Sequence, residues 1–167
     1  MIIIKSKQEI ELMREAGKVT ALILSELNNI IKPGISTLEI DSFVEKTVKA
    51  HNMTAAEKGY CGYPANVCVS VNEEVVHGIP SKKRILCEGD IVSVDLVVEH
   101  KGYMADAART YPVGKISDEA KRLIETAEKA FFNGIQFAKE GYRLSDISHA
   151  VQKTVESEGF GVIRDFV

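Results

Sequence analysis

A stretch that begins at Lys32 returns 107 residues later. Lys32, Gly34, Ile40, Val44 and Lys46-Thr47-Val48 coincide with Lys139, Gly141, Ile147, Val151 and Lys153-Thr154-Val155, seven identities without a gap. The residues before them align at an offset of 111, where Ala16 and Lys18 meet Ala127 and Lys129; the four-residue difference is about one helical turn. Such self-similarity reads as one supersecondary unit begun twice, and that restricts the folds open to the chain. The competing explanation is coincidence between two amphipathic helix pairs, which share a hydrophobic period whatever their origin.

The order of elements is consistent with a repeat. From Gln8 to Ile31 the apolar residues Ile10, Met13, Ala16, Leu24 and Leu27 fall mostly three or four apart and predict a helix, stopped by Lys32-Pro33-Gly34. Ser36-Thr37-Leu38-Glu39 has capping-box form and opens a second helix to about His51. Short β-rich runs follow at Val67–Val71, Ile91–Val98 and Tyr103–Val113, a small antiparallel sheet. Helical periods return from Ser117 to Ala138 and from Leu144 to Glu158, and Val162–Val167 starts another strand. The prediction is an α+β chain, an antiparallel sheet covered by helices. It forms a single incomplete domain over residues 1–167, with repeat one at about 7–113 and the start of repeat two at about 117–167. An unfinished sheet leaves an edge through which a second copy could pair, giving a homo-oligomer.

Charge and cysteine content narrow the functions. Lys plus Arg is 21 and Asp plus Glu is 24, a net charge of −3 with both signs dispersed, which argues against binding nucleic acid through its phosphates. No run approaches the ~18 apolar residues a membrane span needs. Met1-Ile2-Ile3-Ile4 meets Lys5 before a signal segment can form, so a cytoplasmic location without a membrane partner is predicted. Cys61, Cys68 and Cys87 are an odd number and are expected to be reduced. Their spacings with His77, which are 7, 9 and 10 residues, lack the short Cys-x-x-Cys knuckle of a zinc site.

The chemistry centres on two acids. Asp95 interrupts the apolar run Ile91–Val98, where an ionised carboxylate needs a cation or several donors. Asp106 lies in the next run, beyond a turn at Lys101-Gly102. With a two-residue loop, paired residues sum to 203, Asp95 faces Ala108, and Asp106 shares its face as a diagonal neighbour roughly 7 Å away. Two buried acids on one side of a β-ribbon call for a divalent metal between them; a three-residue loop without a bulge would separate them. The plainer alternative pairs Asp95 with Arg109 or a backbone donor and leaves Asp106 in solvent. His77, between Val75-Val76 and Gly78, could donate to a substrate carbonyl or amide, or could be a satisfied histidine at a strand end. Tyr60, Tyr63 and Cys68 could line an apolar pocket or belong to ordinary core. His51, His100 and His149 read as surface residues.

Taken together, Gly59-Tyr60-Cys61-Gly62-Tyr63-Pro64, Asn72–Pro80 with its His77-Gly78-Ile79-Pro80, Ser93-Val94-Asp95-Leu96 and Ala105-Asp106 resemble the bacterial type I methionine aminopeptidases over nearly the whole chain. The resemblance implies the pseudosymmetric pita-bread fold and removal of the initiator methionine from the N-termini of nascent polypeptides, with the ribosome as a partner of the full-length enzyme. It implies two divalent ions of Mn, Fe, Co or Zn, with Asp95 and Asp106 as ligands and Asp106 bridging. His77 would hydrogen-bond the substrate at the scissile amide, and Tyr60, Tyr63 and Cys68 would belong to the methionine pocket. Glu57-Lys58 departs from the apolar pair that the family often carries in that wall. The family's further ligands, one His and two Glu, are expected beyond Val167, so this chain would be an N-terminal portion with little activity of its own. The alternative is a catalytically silent pita-bread module that binds peptides or proteins.

Overall fold

The computed structural model describes residues 3–164, in the order α1 (Lys7–Ile30), α2 (Thr37–Ala50), β1 (Thr54–Ala55), a 3₁₀ turn at Tyr60–Gly62, β2 (Cys68–Val71), β3 (Ile91–His100), β4 (Tyr103–Pro112), α3 (Asp118–Ile135) and α4 (Leu144–Ser157). They form two compact units, Met1–Ile116 and Ser117–Val167.

In the first unit, capping boxes set both helix starts. The Ser6 hydroxyl accepts from Glu9 N–H while Glu9 accepts from Ser6 N–H, and Ser36 and Glu39 repeat the exchange. Helix α1 buries Ala16, Val19, Thr20, Ile23, Leu24 and Leu27, one stripe at helical spacing, against β3 and β4. Helix α2 buries Ile40, Val44 and Val48. The core joins these residues to Val67, Val69, Val71, Val92, Val94, Leu96, Val98 and Tyr111. The Tyr111 hydroxyl donates to the Leu24 carbonyl (2.6 Å) and ties β4 to α1. Strand β3 alternates between a buried residue and a half-buried one along most of its length, so it packs on the helices with one face only.

The hairpin of β3 and β4 is antiparallel, with Asp95 opposite Ala108, Val97 opposite Asp106 and His100 opposite Tyr103. Its turn places both Lys101 (φ 52°) and Gly102 (φ 84°) in the left-handed region, the type I′ geometry that suits a two-residue hairpin. The other edge of β3 is shared: β2 pairs with Val92–Asp95 and β1 with Val98 and Glu99. Neither β1 nor the 3₁₀ turn is anticipated by the periodicity. His100, expected at the surface, is largely covered, its Nε2 2.9 Å from Glu15 Oε2.

In the second unit, Ser117 caps α3 by accepting from Ala120 N–H (3.1 Å). Helices α3 and α4 close on each other at Gly134, where a Cβ would come within 2.7 Å of Val151 Cγ2, and Asn133 donates to the Thr154 hydroxyl (3.0 Å). Helices α2 and α4 have the same length, and their bounds differ by the same amount at both ends (144 − 37 = 107 and 157 − 50 = 107). The preceding turns each use a left-handed glycine, Gly34 (φ 94°) and Gly141 (φ 89°). The strand expected at Val162–Val167 is absent from Val162–Arg164, and its remaining residues lie outside those described.

Candidate metal and substrate site

The face of β3 turned away from the helices carries Ser93, Asp95 and Val97. Strand β2 extends it with Cys68 opposite Asp95 and Ser70 opposite Ser93, and β4 with Asp106, Ala108 and Thr110. Ser93 and Thr110 hydroxyls bond across the strands at 2.7 Å. Asp95 and Asp106 therefore share one face as diagonal neighbours, about 7 Å apart by Cβ in such a register. Their burial differs from the expectation: Asp95 is half-buried and Asp106 exposed, on the face of the hairpin opposite the one that packs on α1. Arg109 stands opposite Val94 on the helix-facing side, so it does not share a face with Asp95.

Burial, and then the negative charge of Asp106, push the Asp95 carboxyl above the usual carboxylate range, while His77 acts in the opposite sense. An acid raised by a like charge fits a site for a cation, and two carboxylate oxygen donors suit a hard divalent ion. Among the described residues no group of three or more His, Cys, Asp or Glu side chains is arranged to hold a metal, so two carboxylates could offer at most part of a coordination shell.

His77 comes to this face through Gly78. Gly78 N–H donates to the Ser70 hydroxyl (3.1 Å), and its carbonyl accepts from Val69 N–H (2.9 Å) and the Tyr63 hydroxyl (2.8 Å). Backbone meets backbone so closely there that a Cβ on Gly78 would come within 2.3 Å of the Val69 oxygen. His77 itself has a left-handed backbone (φ 58°), a strained conformation for a side chain to hold, and it stands exposed near Asp95.

Tyr63 is half-buried, and Cys68 is buried on β2. Burial drives both the Tyr63 phenol and the Cys68 thiol upward, so both are neutral near pH 7 and Cys68 has no thiolate character. Tyr60, in the 3₁₀ turn, is 73% exposed, and its carbonyl accepts from Tyr63 N–H (2.9 Å). A residue outside the proposed ligand and pocket set joins the site: Glu57, at the gap that β1 and β2 leave along the edge of β3. One of its oxygens accepts from Val97 N–H, and the other, Oε2, is buried and has no hydrogen-bond partner among the described residues. Burial, reinforced by the charges of Asp95 and Asp106, pushes its carboxyl up to about 7. The departure from an apolar pair at Glu57-Lys58 marks the position in the sequence. The unpaired oxygen needs the structure to be seen.

The chain belongs to metallopeptidase family M24, whose profile matches residues 11–167. Its relatives there are methionine aminopeptidases. It is 51% identical to methionine aminopeptidase of Clostridium acetobutylicum and 50% identical to methionine aminopeptidase 1 of Bacillus subtilis, in each case over all of this chain and 67% of the relative. The crystal structure of methionine aminopeptidase from Thermotoga maritima superposes with a TM-score of 0.97 at 46% identity, again over all of this chain and 67% of that one. X-Pro aminopeptidase from the same organism shares the fold at 22% identity, with a TM-score of 0.80 over 95% of this chain and 43% of that one. The pita-bread architecture is thus established, and the chain spans about two thirds of the length of its methionine aminopeptidase relatives.

Proposed function

We propose that this chain forms the metal- and substrate-facing part of a cytoplasmic aminopeptidase that removes initiator methionine from nascent proteins, working near the ribosome. The observation that carries this reading is the placement of Asp95 and Asp106 on one open face, with His77 delivered beside them by Gly78. Asp95 and Asp106 would contribute ligands to two divalent ions, Mn, Fe, Co or Zn, which when bound would supply Lewis acidity at the scissile carbonyl and a nucleophile near neutral pH. His77, exposed beside Asp95, donates a hydrogen bond to the scissile amide. Neutral Tyr63 and Cys68 form the walls for the methionine side chain, with Tyr60 closing over it when substrate binds.

Helices α3 and α4 open the second repeat of the fold in this reading, supported by the shared offset of 107 residues in α2 and α4. Strand β4 is paired on one edge only among the described residues, with β3, and its other edge is where a second copy would pair. Because the described residues offer two carboxylates to the ions, the chain by itself should bind metal weakly and turn over slowly. Calorimetric titration with Mn²⁺, beside an assay of Met-Gly peptides, tests the assignment: Asp95→Ala and Asp106→Ala should each abolish metal binding and any turnover. Undiminished binding in both variants would overturn it.

A further inference from the structure

Near Tyr63 and Cys68, the proposed walls for the substrate side chain, stands a polar group that a thioether satisfies poorly. Glu57 Oε2 is shielded from water and has no partner among the described residues, its sister oxygen is held by Val97 N–H, and its charge reaches the Tyr63 hydroxyl and the Cys68 thiol. The adjacent cation does not answer it: Lys58 Nζ turns to Glu45 (3.3 Å). The bond from Val97 N–H fixes one oxygen, so the second has no protein hydrogen bond to give up to a donor brought in beside it. A buried carboxyl oxygen left unpaired weakens any complex that keeps it so, and one that gains a donor is relieved of that cost.

We propose that Glu57 is a specificity-determining residue that shifts the pocket toward unbranched N-terminal residues ending in an uncharged amide, glutamine being the natural one. This rests on the aminopeptidase reading of the preceding subsection. Methionine and glutamine have nearly the same length and shape, so walls made by Tyr63 and Cys68 accept either. The ends differ. The methionine sulfur is a weak acceptor with no proton to give. The glutamine amide carries two donors and an acceptor, and it meets the carboxyl in either protonation state. A cationic end would lose its hydration in a site closed to water at that oxygen, and an acidic end would meet the field of Asp95 and Asp106 as well as Glu57. Sites that present a polar group to the substrate discriminate against analogues lacking its complement far more sharply than apolar walls discriminate by size.

The test compares binding of Met-Gly, norleucine-Gly and freshly prepared Gln-Gly to the chain loaded with Mn²⁺, followed by NMR shifts and calorimetry. Gln-Gly should bind at least as tightly as norleucine-Gly, which matches its length but lacks the amide. Glu57→Leu should change the Met-to-Gln affinity ratio by on the order of tenfold or more in favour of methionine. Glu57→Gln keeps an acceptor for Val97 N–H and a polar end for the ligand, and should hold that ratio within about threefold. If Met-Gly binds while Gln-Gly stays at least tenfold weaker than norleucine-Gly in the unaltered chain, the proposal fails, whether or not Glu57→Leu folds. An unchanged ratio in a folded Glu57→Leu protein also overturns it, with the aminopeptidase reading intact. If none of the three dipeptides binds, that reading falls and takes this proposal with it.

Discussion

Glu57 and Asp95 are acids whose environments oppose their ionised forms, and both make the metal-free protein sensitive to pH. For Glu57 the carboxyl pK rises from 4.5 to about 7, with burial as the largest cause. The folded chain therefore keeps this proton through a window, about pH 4.5 to 7, in which the unfolded chain has lost it, so stability falls as pH rises through that window. The loss from Glu57 should reach about 1–2 kcal/mol, allowing for the solvent that still reaches the group. Acids shifted the other way, such as Glu39 and Glu45 with their hydrogen-bonded partners, lose their contribution only below pH 4.5 and do not mask it. Thermal melts at pH 5 and pH 8 should thus differ less for Glu57→Gln than for the unaltered chain, and the variant should be the more stable at pH 8. Equal pH dependence in the two would refute the assignment. Asp95 is legible in the sequence because a charge inside Ile91–Val98 cannot be neutral in meaning. The exposure of Asp106 is not, since a strand sequence shows alternation without showing which face a helix covers. Glu57 reads as an ordinary acid until the gap between β1 and β2 is known.

Among the elements, the pieces that position the site are short and depend on single residues. Ser36 is the better test of a cap, because it is buried and anchors α2 beside Asp41, which accepts from Asn66 N–H (2.7 Å) and Nδ2 (3.0 Å) at the approach to β2. Ser36→Ala should cost about 1 kcal/mol of unfolding free energy, measured by urea denaturation, with metal affinity unchanged. Gly78→Ala acts differently: a methyl 2.3 Å from the Val69 oxygen must push the His77–Pro80 segment off β2. Crosspeaks of Tyr63 and His77 should shift, and peptide binding should weaken at least tenfold, while the helices keep their far-ultraviolet signal. Normal peptide affinity in Gly78→Ala would show that β2 does not position His77. Both capping boxes have the same Ser-x-x-Glu form, yet only that of α2 stands out in the sequence, since Ser6-Lys7-Gln8-Glu9 precedes no clear turn. Strand β1 escapes periodicity because two residues carry no period.

At the scale of the molecule, the second unit leaves large apolar side chains in solvent: Phe131, Phe132, Ile135 and Leu144 are all at least half exposed. Surfaces of this kind bind hydrophobic dyes and promote association. Replacing Phe131 and Ile135 by Ser should lower dye fluorescence and light scattering without altering Mn²⁺ affinity, since neither residue belongs to the first unit, which holds Asp95 and Asp106. The helices of this unit are visible in the sequence as a repetition, but the exposure of α3 is not, because a hydrophobic stripe announces a partner without naming it. The hairpin of the first unit is the opposite case, for two codons, Lys101 and Gly102, fix every pairing in it. What descent must preserve at that turn is length more than identity. An inserted codon, unless a bulge absorbed it, would exchange the two sides of β4 and send Asp106 toward α1. Lineages of this gene are therefore expected to vary the turn among residues that accept a left-handed backbone, Asn, Asp and Gly above all, while never changing its count.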